Sequence, residues 1–456
     1  MNRDMTKGSP MKTIVGFTIP IFIGNVFQQF YSMVDTVVVG QFVGTGALAA
    51  VGSTGTIMFL ILGFLLGFSA GVTVLTGQRF GAGDMESMRK TVASSVVLSA
   101  IVSVVMTAAS MLCMHQLLIW MNTPENVFYD AYSYIMIICG GIVAQVAYNL
   151  LACLLRALGN SRVPLYFLIL AAVLNVVLDL VFIIVFHMGT AGAAWATVIS
   201  QGVSALLCFV YILRCVPQLW LKKEDWKFPL RMIRTQIGVG LPMAFQYSIT
   251  AIGTIMVQSS LNILGAMPMA AFTAANKIEQ VVTQAYAALG TTMATYCAQN
   301  TGAGRIDRIR SGFRAATIVG SVYAVVMGAA IVTGGKYLTY LFVSTDAAAI
   351  IGDVQTYLWC VGLFFIPLTV VNVYRNGLQG MGYGMLPMTA GIAELVGRGV
   401  VALIAAQFHS YLGVCLANPA AWILAGGLLI VMYFAVIRQQ ERRHAMYESM
   451  SKAESV

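Results

Sequence analysis

Charged side chains are what this chain has least of. Asp, Glu, Lys and Arg make up 9% of its 456 residues, against 59% hydrophobic, where a water-soluble domain carries roughly a quarter charged. That shortage excludes a fold whose main solvent is water. Also missing are any CxxC pair and any histidine spacing suited to a metal. The eight cysteines (113, 139, 153, 208, 215, 297, 360 and 415) fall within apolar stretches and read as small buried hydrophobes. Neither disulfides nor a metal site is expected. The glycine-rich turns Gly81-Ala82-Gly83 and Gly302-Ala303-Gly304 are followed by no Lys-Ser/Thr and preceded by no strand-like run, so they are not phosphate cradles. No enzyme activity and no cofactor are expected, and any transport must draw on an ion gradient or on a separate subunit.

What is present is a near-continuous series of apolar stretches. A bilayer core needs about 20 apolar residues per helix, and twelve such spans can be drawn: 14–38, 51–78, 92–117, 131–155, 163–187, 191–213, 235–263, 269–298, 313–341, 352–378, 384–408 and 414–437. The first is too long for a signal-peptide core and carries Asp35, so it reads as a retained helix.

The net charge of +9 raises the question of nucleic acid, and its placement argues against that partner. With the N-terminus in the cytoplasm, every one of the 26 basic residues except Lys336, Lys277 and Arg398 falls on the cytoplasmic side or at a cytoplasmic helix end. The positive-inside rule therefore predicts both termini in the cytoplasm. The expected fold class is an all-α membrane protein with twelve transmembrane helices.

Sliding the chain along itself shows an internal repeat at an offset of about 221 residues. Gln78-Arg79-Phe80-Gly81-Ala82-Gly83 recurs as Gln299-Asn300-Thr301-Gly302-Ala303-Gly304, Arg89 as Arg310, Ala49-Ala50 as Ala270-Ala271, and Pro20 as Pro242. Arg156-Ala157-Leu158-Gly159 with Pro164 is echoed by Gln379-Gly380-Met381-Gly382 with Pro387. Six spans per half make the repeats parallel, giving two pseudo-symmetric bundles about an axis along the membrane normal with substrate expected between them. The expected lobes are residues 1–213 (N-lobe) and 235–437 (C-lobe), joined by a basic cytoplasmic linker, 214–234, and followed by a cytoplasmic tail, 438–456.

An ionisable side chain at membrane depth costs about 2.5 to 3.5 kcal/mol on insertion scales, so each is a functional candidate. In the first span Asn25, Gln28, Ser32 and Asp35 share a face; the alternative is a polar seam between helices. Asp35 has no basic partner in its helix. In the fifth span Asn175 and Asp179 are four apart and can converge on one cation, with Thr197 of the sixth adding a hydroxyl. Oxygen ligands suit sodium, and a carboxylic acid equally suits a proton; the residues leave both open, as well as Asn175 and Asp179 simply satisfying each other. In the second half Glu394 and Arg398 are spaced for an intrahelical ion pair. Lys277 and Glu279, two apart, point to different faces. Gln246, Thr250, Thr254, Gln258 and Asn262 form a polar stripe on the seventh span, and Asn372, Asn376 and Gln379 lie on the tenth. Interhelical hydrogen bonding explains the latter almost as well as a cavity does. Arg156 and Arg375, near cytoplasmic ends, are expected to snorkel. The 26 methionines suit adaptable packing around varied apolar ligands.

The layout of two parallel six-helix halves, with Gly77-Gln78-Arg79-Phe80-Gly81-Ala82-Gly83 after the second span and Gln299-Asn300-Thr301-Gly302-Ala303-Gly304 after the eighth, resembles the multidrug and toxic compound extrusion (MATE) transporters over essentially the whole chain. Pro20, Asp35, Asn175, Asp179 and Thr197 look like the N-lobe cation site of that family's DinF-like prokaryotic branch, with Asn149 as a further polar member and Pro20 as a hinge. The resemblance implies antiport in a bacterial inner (plasma) membrane: H+ or Na+ enters as an amphipathic, often cationic, organic compound leaves. Gln28, Ser32, Gln246, Thr250, Lys277, Glu279, Asn372, Asn376, Glu394 and Arg398 would line the substrate cavity, and the chain is expected to work as a monomer. It departs from the NorM type, which carries acids in helices seven and ten where Thr250 and Thr369 stand here, and this shifts the ion site to the N-lobe. The rival reading is a flippase for a lipid-linked saccharide, with Lys277 and Arg398 binding anions. A non-transporting receptor or scaffold would have no use for the buried carboxylates.

Overall fold

A computed structural model describes residues 4–121, 123–338 and 347–454. Arg3, the side chains of Lys336, Arg443 and Lys452, and the end of the ninth expected span past residue 338 lie outside the described residues.

The chain is a succession of helices: α1 (Pro10–Phe42), α2 (Thr45–Val72), α3 (Val74–Gly81), α4 (Met85–Trp120), α5 (Glu125–Gly140), α6 (Ile142–Ala157), α7 (Arg162–Leu180), α8 (Gly189–Cys215), α9 (Leu230–Asn262), α10 (Ala266–Gly302), α11 (Ile306–Leu338), α12 (Ala347–Gly362), α13 (Phe365–Gly380), α14 (Met385–Gln407) and α15 (Tyr411–Glu454). Taking α2 with α3, α5 with α6 and α12 with α13 as single spans gives twelve, one for each apolar stretch. Among the described residues, nine are apolar and long enough to cross a bilayer as continuous helices. Two more are bent by 47°, at Gly141 and after Gly362. The twelfth, α10, is more polar, with Asn276, Lys277, Glu279, Gln280 and Gln284 along it.

The backbone carries the repeat more plainly than the side chains do. After α3, Gly83 (φ +75) accepts the left-handed conformation while Asp84 N–H bonds to Arg79 O (3.1 Å) and Gly83 N–H to Phe80 O (3.0 Å). After α10, Gly304 (φ +67) repeats this, with Arg305 N–H to Asn300 O (2.9 Å) and Gly304 N–H to Thr301 O (3.1 Å). This is the Schellman closure, for which a residue without Cβ is favoured. Gly159 and Gly382 close α6 and α13 in the same way. The non-glycine residues with positive φ, His187 and His409, also correspond, as do the two bends. Between these turns and the next helices, Asp84 caps α4 by accepting from Ser87 N–H (3.0 Å), and this bonding together with Arg79 and Lys90 holds its carboxyl below the usual range.

The chain forms two compact units. Unit 1 is built on Ile19–Ala251 and unit 2 on Met5–Thr18 with Ile252–Val456. Thus α1 passes from unit 2 to unit 1 beside Pro20, and α9 passes from unit 1 to unit 2 after Ala251.

In unit 1, α8 packs against α5, α6 and α7, and α2 against α4, α5 and α6. Helices in lipid have no hydrophobic effect to drive their association, so close backbone approach must supply it. Gly63, Gly67 and Gly71 recur every fourth residue on α2 and face α9: a Cβ on Gly67 would meet the Met243 carbonyl, and one on Gly71 would meet Gly240. Gly71→Leu is therefore expected to cost about 3 kcal/mol by overpacking, read as a lowered apparent melting temperature in detergent. Unchanged melting would show that the two backbones are not held at this distance.

In unit 2, α10 packs against α11, α12 and α13, and α15 against α12, α13 and α14. The N-terminal segment is strapped to it by a buried arginine. Arg308 donates to the carbonyls of Met5 (2.9 Å), Lys7 (3.2 Å) and Gly8 (2.8 Å) and to Asn300 Oδ1 (3.0 Å), while Met5 N–H donates to Gln299 Oε1 (2.9 Å). Hydrogen bonds from a charged donor contribute about 1.5 to 3 kcal/mol each. Arg308→Ala is expected to release the strap, seen as faster hydrogen exchange at residues 5–9. Unchanged exchange would assign the anchoring to the start of α1 alone.

Candidate functional site

Unit 1 brings the sequence-predicted acids together. Asp35 comes from α1 and Asp179 from the last full turn of α7, and their carboxyl groups lie within hydrogen-bonding reach of each other. Asp179 is fully buried and Asn175 nearly so. No lysine or arginine is among the groups acting on either carboxyl. Asp35 Oδ1, both carboxyl oxygens of Asp179 and Asn175 Oδ1 are buried without a hydrogen-bond partner. Asn175 and Asp179 do not satisfy each other: the Asn175 amide instead donates to Thr197 Oγ1 (3.4 Å), whose own proton goes to the Ala193 carbonyl (3.1 Å). Thr197 thus turns its lone pairs outward from α8. The arrangement is a cluster of acceptor oxygens lacking donors, and buried acceptors of that kind call for a cation or a proton.

Local structure explains how Asp179 reaches this position. Past Leu180 the helix widens into a π segment over Val181–Val185, with Phe186 N–H bonding to Val181 O (3.1 Å). The β-branched run Val181, Ile183, Ile184, Val185 disfavours tight α geometry, and such segments frequently mark functional sites. Val38 and Val39 of α1 pack with Tyr134 and Ile138 of α5, Ile183, and Ala193 and Ala194 of α8, which fixes the far end of α1 beside the acids. Gly24 lets α1 approach Leu165 and Leu168 of α7.

Three members escaped the sequence reading. Tyr31, one turn before Asp35, has its hydroxyl within reach of Gln28 and Gln201. Gln201 lies one turn after Thr197. Tyr134 approaches both acids from α5. The four-residue steps 31 to 35 and 197 to 201 were a usable signal; for Tyr134 none existed. Gln28 and Ser32 are exposed on α1. Asn149 is buried on α6 but is not among the groups acting on either carboxyl. Pro20 is buried within an unbroken α1.

Unit 2 corrects two expectations. The predicted Glu394–Arg398 pair is present (2.8 Å), but Glu394 also bonds Arg375 (2.5 Å), so the pair is a triad. Arg375 does not snorkel; it is 8% exposed and turned inward. Lys277 and Glu279 part as expected: Lys277 is exposed, and Glu279 is buried against the Tyr357 hydroxyl and the Asn276 amide. Asn372 and Asn376 donate to carbonyls of their own helix (2.9 Å each). Gln246 and Thr250 are half-buried on α9, Thr250 bonding the Gln246 carbonyl (3.0 Å). The eight cysteines are free thiols, and Cys113 and Cys215 are exposed rather than buried.

Comparison with known proteins agrees with this architecture. The MatE family model matches twice, over residues 20–181 and 240–404, once in each half. The Bacillus subtilis "Probable multidrug resistance protein YpnP" is 31% identical over 385 residues, covering 84% of this chain and 85% of that one. The "Probable multidrug resistance protein YoeA" of the same organism is 25% identical over 96% of each chain. A crystal structure of a MATE protein in complex with MaL6 has the same fold, with a TM-score of 0.90 at 23% identity, covering 96% of this chain and 99% of that chain. The doubled match and these full-length likenesses place the chain in the multidrug and toxic compound extrusion (MATE) family.

Proposed function

We propose that this protein is a secondary active exporter that exchanges H+ or Na+ for amphipathic, often cationic, organic compounds by alternating access, acting as a transporter and not as an enzyme. The observation that carries this reading is the Asp35–Asp179 pair, with buried acceptor oxygens on both and no basic partner. Two adjacent carboxyls in low dielectric cannot both stay ionised cheaply, so they titrate as a pair and retain a proton or a shared cation. Asn175 Oδ1 and Thr197 Oγ1 supply further oxygen ligands. The names carried by the Bacillus relatives support multidrug export.

An ion drives transport only by binding one conformation better than the other. Pro20 removes a backbone hydrogen bond from α1 and so offers a bend through which Asp35 can move between two arrangements. Gln28, Ser32, Gln246, Thr250, Lys277, Asn372 and Asn376 serve in this reading as polar points along the substrate path. In this reading the protein works as a monomer in the bacterial inner membrane, and the placement of Lys and Arg supports both termini in the cytoplasm.

The deciding experiment is export of ethidium from proteoliposomes under a sodium gradient alone and a proton gradient alone. One of the two is expected to drive it. If neither moves the dye, or any other lipophilic cation in a panel, the reading is wrong.

A further inference from the structure

Unit 2 holds two buried acids and two buried guanidiniums, and it shares them unevenly. Both arginines bond Glu394, Arg375 at 2.5 Å and Arg398 at 2.8 Å. Glu279, only 6% exposed, receives neutral donors alone: the Tyr357 hydroxyl from α12 and the Asn276 amide (3.4 Å) from its own helix, with Gln280 bonded in turn to Asn276 (2.8 Å). Arg398 of α14 is the charged group that acts electrostatically on Glu279, and Cys415 of α15 acts on Tyr357.

With both acids ionised these four charges sum to zero. With Glu279 protonated they leave one surplus positive charge. In a low-dielectric interior a single charge outweighs most other terms, so the protonation state of Glu279 decides how strongly Arg398 is drawn away from Glu394. Arg398 is not fully satisfied where it stands: its Nε is buried without an acceptor, and its Nη1 lies against Gly253 of α9, where a Cβ would crowd it.

We propose that Glu279 is a second cation site of this protein, one that takes a proton, and that Arg398 follows it: held by Glu394 when Glu279 is protonated, and shifted toward Glu279 when the proton leaves. The step moves one proton between water and a Glu279 oxygen and makes or breaks no other covalent bond. It uses none of the residues around Asp35, and its test requires neither substrate nor gradient, so it stands or falls apart from the export reading.

Infrared difference spectra between acidic and neutral buffer, taken on the full chain in lipid, test this directly. With the Asp35 and Asp179 carboxyls removed in the Asp35→Asn, Asp179→Asn double variant, a protonated-carboxyl band is expected to remain, and to be lost when Glu279→Gln is added to it. A band that survives Glu279→Gln unchanged in that background overturns the assignment. Should Glu279→Gln fail to fold, Tyr357→Phe keeps the carboxyl and removes its hydroxyl partner; the band is expected to move in frequency, and an unmoved band is equally fatal. Gly253→Ala, which crowds Arg398, is expected to shift the pH at which the band appears, and an unshifted pH overturns the part given to Arg398.

Discussion

Asp35→Asn is expected to abolish gradient-driven export while leaving the protein folded. The amide matches the carboxyl in size, so packing at the end of α1 against Tyr134, Ile183 and Ala194 is kept. What goes is the negative charge and the capacity to take up and release a proton. Asp179 then loses the carboxyl beside it and can no longer share a cation with it. Asparagine also brings an N–H donor into a cluster of orphaned acceptors, which should satisfy one of them and raise the apparent melting temperature, because each unsatisfied buried acceptor costs about 1 to 3 kcal/mol. The expected signature is thus a stable protein with at least a hundredfold lower export rate, an effect of about 2.7 kcal/mol on the driving step. Export at the parent rate in proteoliposomes would remove Asp35 from the coupling site. Lost export with a lowered melting temperature would make the residue structural.

Glu394→Gln should act in the opposite way, on stability first. Glu394 stands between two guanidiniums that are themselves buried. Its replacement leaves two positive charges facing each other across a neutral amide. Breaking a buried pair from one side costs about 3 to 5 kcal/mol, because the remaining charge is uncompensated, and here two charges remain. Little folded protein is expected after detergent extraction. Removing Arg375 as well, in Arg375→Met, Glu394→Gln, leaves a single guanidinium and should recover part of the yield. Equal yields for parent and Glu394→Gln would show that water reaches the triad.

Most of the scaffold was legible because the bilayer imposes one constraint on every span, and scarcity of charge makes the breaks stand out. The repeat was legible at its turns, where Gly83 and Gly304 must adopt positive φ, and less so along the helices, where many apolar residues are interchangeable. α10 was drawn as a span along with the others, although Asn276, Lys277, Glu279, Gln280 and Gln284 give it the weakest apolar signal of the twelve. The Gly63, Gly67, Gly71 ladder was in plain view on α2, but which helix it receives is a long-range fact.

The candidate site divides in the same way. By itself the sequence determined which residues would be costly: Asp35, Asp179, Glu279, Glu394 and Arg398 stand out because a charge at membrane depth needs a reason. Only the tertiary structure decided who answers each charge. It set Asp35 beside Asp179 without a basic partner, brought Tyr134 to them from another helix, and turned Arg375 inward to Glu394 in place of the interface. Spacing along one helix fixes a face, and the partners on that face come from helices distant in sequence, chosen by packing. That choice distinguishes the Asp35–Asp179 pair, with no basic group to answer it, from Glu394, already neutralised by its neighbours.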